Sequence, residues 1–272
     1  MTSATKLTTS LMGCAFVWLL PQSGVSEPER QSVKVDQNQL SKSGKYLPNK
    51  PKEESKGEVQ KDGETTSQKP VVKSLGGGRY QIGKVILDKK NRAVHVPAEV
   101  NMTEGVVEYI LVADSGKLHE SVFSTSAKPA DIHVACLLLG MKELPVAQWP
   151  KSYLQADKTS QVAVEIVWKS NGPLKRLPAT ECVLRTDSER LDSGGVGGLA
   201  SGHWVYSGSN VRGGAFAASS EGSVISIIAD DAALVNGLRP RNQDDTLYAA
   251  NAKVLPNKNF KVEVVFKLPA KN

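Results

Sequence analysis

Beyond about Gly76 the chain is a succession of short runs in which apolar and polar residues alternate, the two-residue period of strands with one face buried. YQIGKVILDKKNRAVHVPAEV predicts strands over Ile82 to Leu87 and Ala93 to Val100 around the polar turn DKKNR. VVEYILVADSGKLHESVF predicts a second hairpin turning at Ser115-Gly116, and QVAVEIVWKSNGPLKRLPATECVL a third with Asn171-Gly172 in the turn region. HWVYSGSNV, GSVISII and NFKVEVVFKLP predict further strands. One stretch, KPADIHVACLLLGM, breaks the alternation. Pro129 suits a first helical turn, Asp131 complements the positive helix end, and Gly140 supplies a stop. Ile132 to Leu139 is apolar on nearly every face, so this helix is predicted to be buried. Ala229 to Leu238 predicts a short helix or turn. The fold class is β-rich α+β: antiparallel hairpins, about eight or nine strands, packed with one buried helix.

The N-terminal part reads differently. MTSATKLTTSLMGCAFVWLL carries one basic residue, Lys6, and then an apolar run from Leu11 to Leu20 that ends at Pro21, with small residues at Gly24 to Ser26. That order is a secretory signal peptide over residues 1–26. The run is about ten residues, half of what a bilayer span needs, so no transmembrane span is expected in the mature protein. Cys14 precedes most of the apolar run, the wrong side for a lipidated cysteine, which argues against a lipoprotein anchor. Residues 27–75 are Lys, Glu, Gln, Ser and Pro with scattered single apolar residues and no sustained period. Such a composition buries too little apolar surface to offset ordering entropy and predicts a disordered polar linker. A single domain is then expected over residues 76–272, exported to the periplasm, cell envelope or extracellular space.

Charge and cysteine content narrow the function classes. The formal net charge is +6, with basic residues spread along the chain rather than clustered on one stripe, so nucleic acid is not an expected partner. Cys136 and Cys182 are the cysteines of the mature chain; an exported protein permits their pairing, while HVACLLLG suits Cys136 as a small buried thiol. No CxxC or zinc-type spacing occurs. The glycine-rich stretch from Arg185 to Gly202 contains GGVGG but lacks the strand before and helix after that a phosphate-cradling loop needs.

The candidate chemistry lies between Gly116 and Gly140. A two-residue turn at Ser115-Gly116 sets Val112 opposite His119 and Leu111 opposite Glu120, and period-two alternation sends His119 and Glu120 to opposite faces. Glu120 then sits among apolar neighbours, where a carboxylate needs a partner. His133 shares a helical stripe with Cys136, Leu137 and Gly140 and is the natural partner if the helix packs on the hairpin. The catalytic candidates are His119, Glu120, Ser121 and His133; the metal-ligand candidates are His119, Glu120, His133, Asp230 and Asp231. Each has a plainer role. His133 suits a core histidine bonded to backbone, and Asp230-Asp231 suit the capping of the turn that follows. Ser121 lacks the strand-turn-helix elbow of hydrolase serines. No cofactor-binding residue is assigned, and any cofactor is unknown.

KLHES, PADIHVACLLLG, VEIVWKSNG, LPATECVL, HWVYSGSNV, GGAFAASSEGSVISII and DDTLYAAN together resemble the YdjY-domain proteins, an exported bacterial family, across Gly78 to Leu268. The resemblance implies one exported domain and supplies no catalytic residue. Some relatives are associated with redox or iron-sulfur modules, and this chain lacks the cysteines for a cluster. The expected function is a binding or structural module of the envelope with an unknown ligand or envelope-protein partner. The alternative is a metal-assisted or acid-base enzyme built on His119, Glu120 and His133.

Overall fold

The computed structural model describes residues 70–149, 158–187 and 203–268, all within one compact unit, Glu64–Asn272. The expected signal peptide, Cys14, most of the expected linker and the GGVGG stretch lie outside the described residues. Strand β1 (Val72–Gly76) begins inside the stretch read as linker through residue 75.

A long antiparallel trio forms the centre: β4 (Ala93–Val100), β16 (Lys261–Lys267) and β7 (Gln161–Lys169), with β16 between the other two. Alternation decides which face is buried. Val94, Val96, Ala98 and Val100, Val262, Val264 and Phe266, and Val162, Val164, Ile166 and Trp168 all join the main core. The intervening positions carry His95–Glu263 (2.8 Å) and Lys267–Glu165 (2.7 Å), with a small apolar island of Ala93, Val167 and Val265. Each fully buried branched aliphatic side chain contributes about 1.5–3 kcal/mol.

Both outer members of the trio change partner partway along. β4 pairs through Ala93 to His95 with β3 (Val85–Asp88), then through Glu99 and Val100 with β6 (Ser121–Thr125) on the same edge. β7 pairs near Gln161 and Val162 with β10 (His203–Tyr206), then from Glu165 onward with β8 (Leu174–Pro178). One end therefore continues as the meander β3, β2 (Arg79–Ile82), β1. The other end closes. β10 pairs with β14 (Val235–Leu238), β14 with β13 (Ser223–Ser226), β13 with β5 (Tyr109–Ala113), β5 with β6, and β6 returns to β4. This eight-membered ring has no free edge, the arrangement that removes edge-to-edge pairing as a hazard. Outside it, β9 (Val183–Arg185) pairs with β15 (Tyr248–Ala250), and β11 (Val211–Arg212) with β12 (Ala215–Phe216).

Sixteen strands among the described residues exceed the eight or nine expected. The β3/β4 hairpin and the β7/β8 hairpin through Asn171-Gly172 form as the pattern indicates. The expected hairpin at Ser115-Gly116 does not form: β5 and β6 are parallel, with Tyr109 beside Ser121 and Ala113 beside Thr125. Every side chain of both strands is buried, a pattern that fits parallel and antiparallel pairing equally. The segment read as a short helix or turn before Leu238 ends instead in β14, parallel to β13. Helix α1 (Pro129–Leu139) begins and ends where Pro129 and Gly140 place it, with Gly140 at φ 91°. It is not buried all round: Ile132, Ala135 and Cys136 face the core, while Leu137 (45%) and Leu138 (43%) are exposed. A second short helix, α2 (Ala217–Glu221), leads into β13.

The return from β5 to β6 takes residues 114–120, about half the dozen or more that a parallel crossover normally needs. It fits because Gly116 lies against Gly222: a Cβ on Gly222 would stand 2.5 Å from Gly116 Cα, and Gly222 holds φ 72°. Gly222 also accepts the Ala113 N–H (2.7 Å), tying α2's end to β5. The left-handed backbone costs a side chain about 1–2 kcal/mol before any clash. Gly222→Ala is therefore expected to lower unfolding free energy by at least about 2 kcal/mol in urea titration. A change within about 0.5 kcal/mol, the range of ordinary surface substitutions, would show that the return does not depend on this contact.

Candidate functional site

His119 and Glu120 lie in a one-turn 3-10 helix, Leu118–Glu120, rather than on a strand. The His119 side chain is 80% exposed, and its Nε2 is 3.6 Å from Glu120 Oε2. Glu120 also faces Lys117 Nζ at 3.5 Å. The strand register that separated these two residues does not apply, and Glu120 finds its partners within its own turn. Ser121 is buried and donates to the Phe123 carbonyl (2.8 Å), a local backbone bond.

Behind this turn Lys117 donates to Tyr109 Oη (3.0 Å), and Tyr109 donates to Asp230 Oδ2 (2.9 Å). Burial pushes the Tyr109 phenol up to about 12 against the lowering effect of the Lys117 contact. Lys117 is held above its ordinary range: burial opposes the charge, but the Tyr109 bond and the nearby Glu120 and Asp230 outweigh it. Glu108 is raised by burial and then by Glu120. Asp230 also accepts the Ala232 N–H (2.8 Å), the turn-capping role expected of it. Asp231 instead holds Asn210 Nδ2 (2.9 Å) and the Arg212 guanidinium. Within this network Tyr109 is a buried neutral phenol, bonded to Lys117 on one side and to Asp230 on the other.

His133 belongs to a different cluster. Its Nδ1 is 2.7 Å from Tyr206 Oη, its Nε2 is 3.8 Å from Glu143 Oε1, and its ring lies 4.9 Å from that of Phe216. Burial lowers the His133 pKa, with Glu143 pulling the other way. Tyr206 is fully buried and its phenol is pushed up, first by desolvation. It therefore donates to His133 Nδ1, leaving Nε2–H toward Glu143. The contact of Glu120 or His119 with His133 expected from sequence is replaced by this one. Tyr206 lies in HWVYSGSNV and Glu143 in the loop after Gly140, and no local periodicity links either to His133. Cys136 and Cys182 are buried free thiols, both raised by desolvation and so poor nucleophiles. Among the described residues no three His, Cys, Asp or Glu side chains converge in a way that could hold a metal ion.

A concave surface occurs where β3 and β6 diverge from β4. Its groove, about 580 Å³, is lined by Lys84, Pro97, Glu99, Asp114, Ser124–Ser126 and Lys261. A second hollow of about 390 Å³ shares Asp114, Thr125 and Ser126 and runs to Lys128 and Ser219. Backbone groups of odd-numbered β4 residues face this side, since the neighbouring Val100 bonds toward Asn259 and Phe260 and Asn101 toward Val122. Between His95 and Glu99 only Pro97 faces the gap. It has no N–H, and Thr125 Oγ1 donates to its carbonyl (2.6 Å) while accepting the Ala127 N–H (3.0 Å). The strand edge under the groove is thus closed to an added strand, and the groove presents side chains rather than free backbone groups.

Among the described residues, the fold and these clusters define a β-rich, ring-closed domain with a polar groove at Pro97 and separated ionisable groups. The YdjY domain family matches residues 85–267, and the chain belongs to that family. Comparison with curated proteins and with solved structures gives no match.

Two outcomes follow. Thr125→Val removes the donor to Pro97 and strands the buried Ala127 N–H, so urea titration is expected to show a loss of about 1–3 kcal/mol, with Thr125→Ser close to wild type. Equal stability of all three proteins would show that the edge closure carries no weight. For His133 the folded pKa lies below the unfolded value of about 6.5, so the unfolded chain binds more protons in the window just below 6.5. Stability is then full above that value and declines as pH falls through the window toward the folded pKa. His203, lowered by burial and then by Arg239, acts with the same sign. His133→Asn is expected to flatten the stability profile between about pH 7.5 and 5.5 relative to wild type, and an unchanged slope would rule out His133 as its source.

Proposed function

We propose that this YdjY-domain protein is an exported, non-catalytic binding module of the cell envelope. The leader pattern at Lys6 to Ser26 and the polar composition of residues 27–75 support export followed by a tether. The observation that carries the binding reading is the contrast between groove and clusters. The groove at Pro97 presents Lys84 and Asp114, neither with an oppositely charged partner within ion-pair reach among the described residues. His119–Glu120 and His133–Tyr206–Glu143 are engaged in separate local networks. An enzyme needs imidazole and carboxylate groups converging at a cleft; a binding module needs a concave face with uncommitted polar groups. The second description fits this arrangement.

The whole chain, expressed in a bacterial host beside Leu19→Arg, tests the reading. Wild type is expected outside the cytoplasm with its N-terminus near Glu27, and the variant inside and uncleaved. Elemental analysis of the exported protein is expected to find no stoichiometric metal. Cytoplasmic retention of wild type would remove the envelope assignment. Stoichiometric metal lost in both His119→Ala and His133→Ala would replace the binding module with the metal-assisted enzyme.

A further inference from the structure

We infer that the groove at Pro97 takes a zwitterionic ligand of amino-acid or short-peptide type, its carboxylate held by Lys84 with Ser126 and its ammonium facing Asp114. The inference rests on the binding-module reading and deepens it. Lys84 Nζ donates to the neutral Ser126 Oγ at 2.7 Å, so its charge stays uncompensated while its position is fixed. Ser126 lines both hollows and marks their junction. Lys261 and Glu99, the other charged lining residues of the larger hollow, are paired with each other. Among the described residues the larger groove's unpaired charges are therefore one cation, Lys84, and one anion, Asp114, and the smaller hollow adds a second cation, Lys128, at its far end.

Other ligand classes fit less well. A phosphate needs several converging backbone N–H groups, and the start of α1 does not offer them. Pro129 has none, and the Asp131 and Ile132 N–H groups both bond to the Lys128 carbonyl (3.0 and 3.2 Å). Asp114 opposes a doubly charged anion besides. No aromatic side chain lines either hollow to stack a sugar ring, and the only apolar lining is Pro97, Pro129 and alanines, too little for a lipid chain. A zwitterion matches the one free charge of each sign in the larger groove, and the hydroxyls of Ser124 and Ser126 are left for its amide groups. Their combined space suits a ligand of two or three residues.

Trialanine with free termini, trialanine acetylated and amidated at its ends, and inorganic phosphate serve as probes in ¹H–¹⁵N spectra of the exported wild-type protein. Free trialanine is expected to shift the resonances of Lys84, Asp114 and Ser124 to Ser126 saturably. The blocked peptide and phosphate are expected to bind at least tenfold more weakly. Lys84→Gln and Asp114→Asn, at exposed positions whose folding the same spectra verify, are each expected to weaken free trialanine tenfold or more. Equal affinity for the blocked peptide, or no effect of either variant, overturns the charge assignment and leaves the groove a binding face. Tighter binding of phosphate, or no perturbation at these residues by any probe, overturns the ligand class. None of these results bears on export or metal content, so the failure of this inference and the failure of the binding-module reading are read from different measurements.

Discussion

Every backbone group of a buried strand must be bonded on both edges, and β4 meets that demand with three partners rather than two. Its inner edge runs along β16 for its whole length, while its other edge is passed from β3 to β6 at Pro97. A residue with a free N–H at that position would face a gap with no acceptor opposite it. Proline removes the donor, and Thr125 supplies the hydrogen bond its carbonyl would otherwise lack. Ring closure, the divergence of β3 from β6 and the groove between them all follow from this exchange of partners. β7 repeats the device with β10 and β8, so the two long strands flanking β16 each serve both the ring and an outlying hairpin.

Much of this was legible along the chain. The two-residue period places Val94 to Val100 and Val262 to Phe266 on the core face, and the β7/β8 turn at Asn171-Gly172 forms where its residues indicate. The family resemblance, drawn from scattered motifs, agrees with the matched span. What pattern could not convey is the direction of pairing between strands buried on both faces. Tyr109 to Ala113 and Ser121 to Thr125 are buried throughout, so alternation assigns neither register nor sense. The deciding contact is Gly116 against Gly222, a long-range backbone approach that leaves no trace near either residue beyond the glycine itself. α1 shows the converse: a run apolar on nearly every face predicts burial all round, yet Leu137 and Leu138 stand outside. Apolar content sets what a helix can bury, and its neighbours set what it does bury.

The candidate residues divide along the same line. The identities that drew attention at His119, Glu120 and His133 are polar groups requiring partners, and the structure gives them partners. The choice of partner is tertiary, however: Tyr206 and Glu143 reach His133 from a strand and a loop remote in sequence, and Lys117 reaches Glu120 within one turn once the hairpin is replaced by a parallel return. Burial lowers the His133 pKa and raises the Tyr206 and Tyr109 phenols, so both networks favour neutral rings tied into the fold.

A closed ring also constrains where recognition can occur. Its eight strands offer no open edge for strand addition, and its interior is filled by the side chains of the main core. Among the described residues, a place where the closure leaves both concavity and unspent polar groups is the fork at Pro97, where β3 has departed and β6 has just joined. The groups that line it are mounted on strand ends and on the turn before α1 rather than within the core: Lys84 in the β2–β3 turn, Asp114 at the end of β5, Ser126 just past β6. Their side chains are exposed and support little packing, so they can vary in chemistry without disturbing the ring, while Pro97 and Thr125 beneath them hold the geometry. Separation of a fixed closure from a replaceable lining is what a binding surface on a rigid scaffold requires.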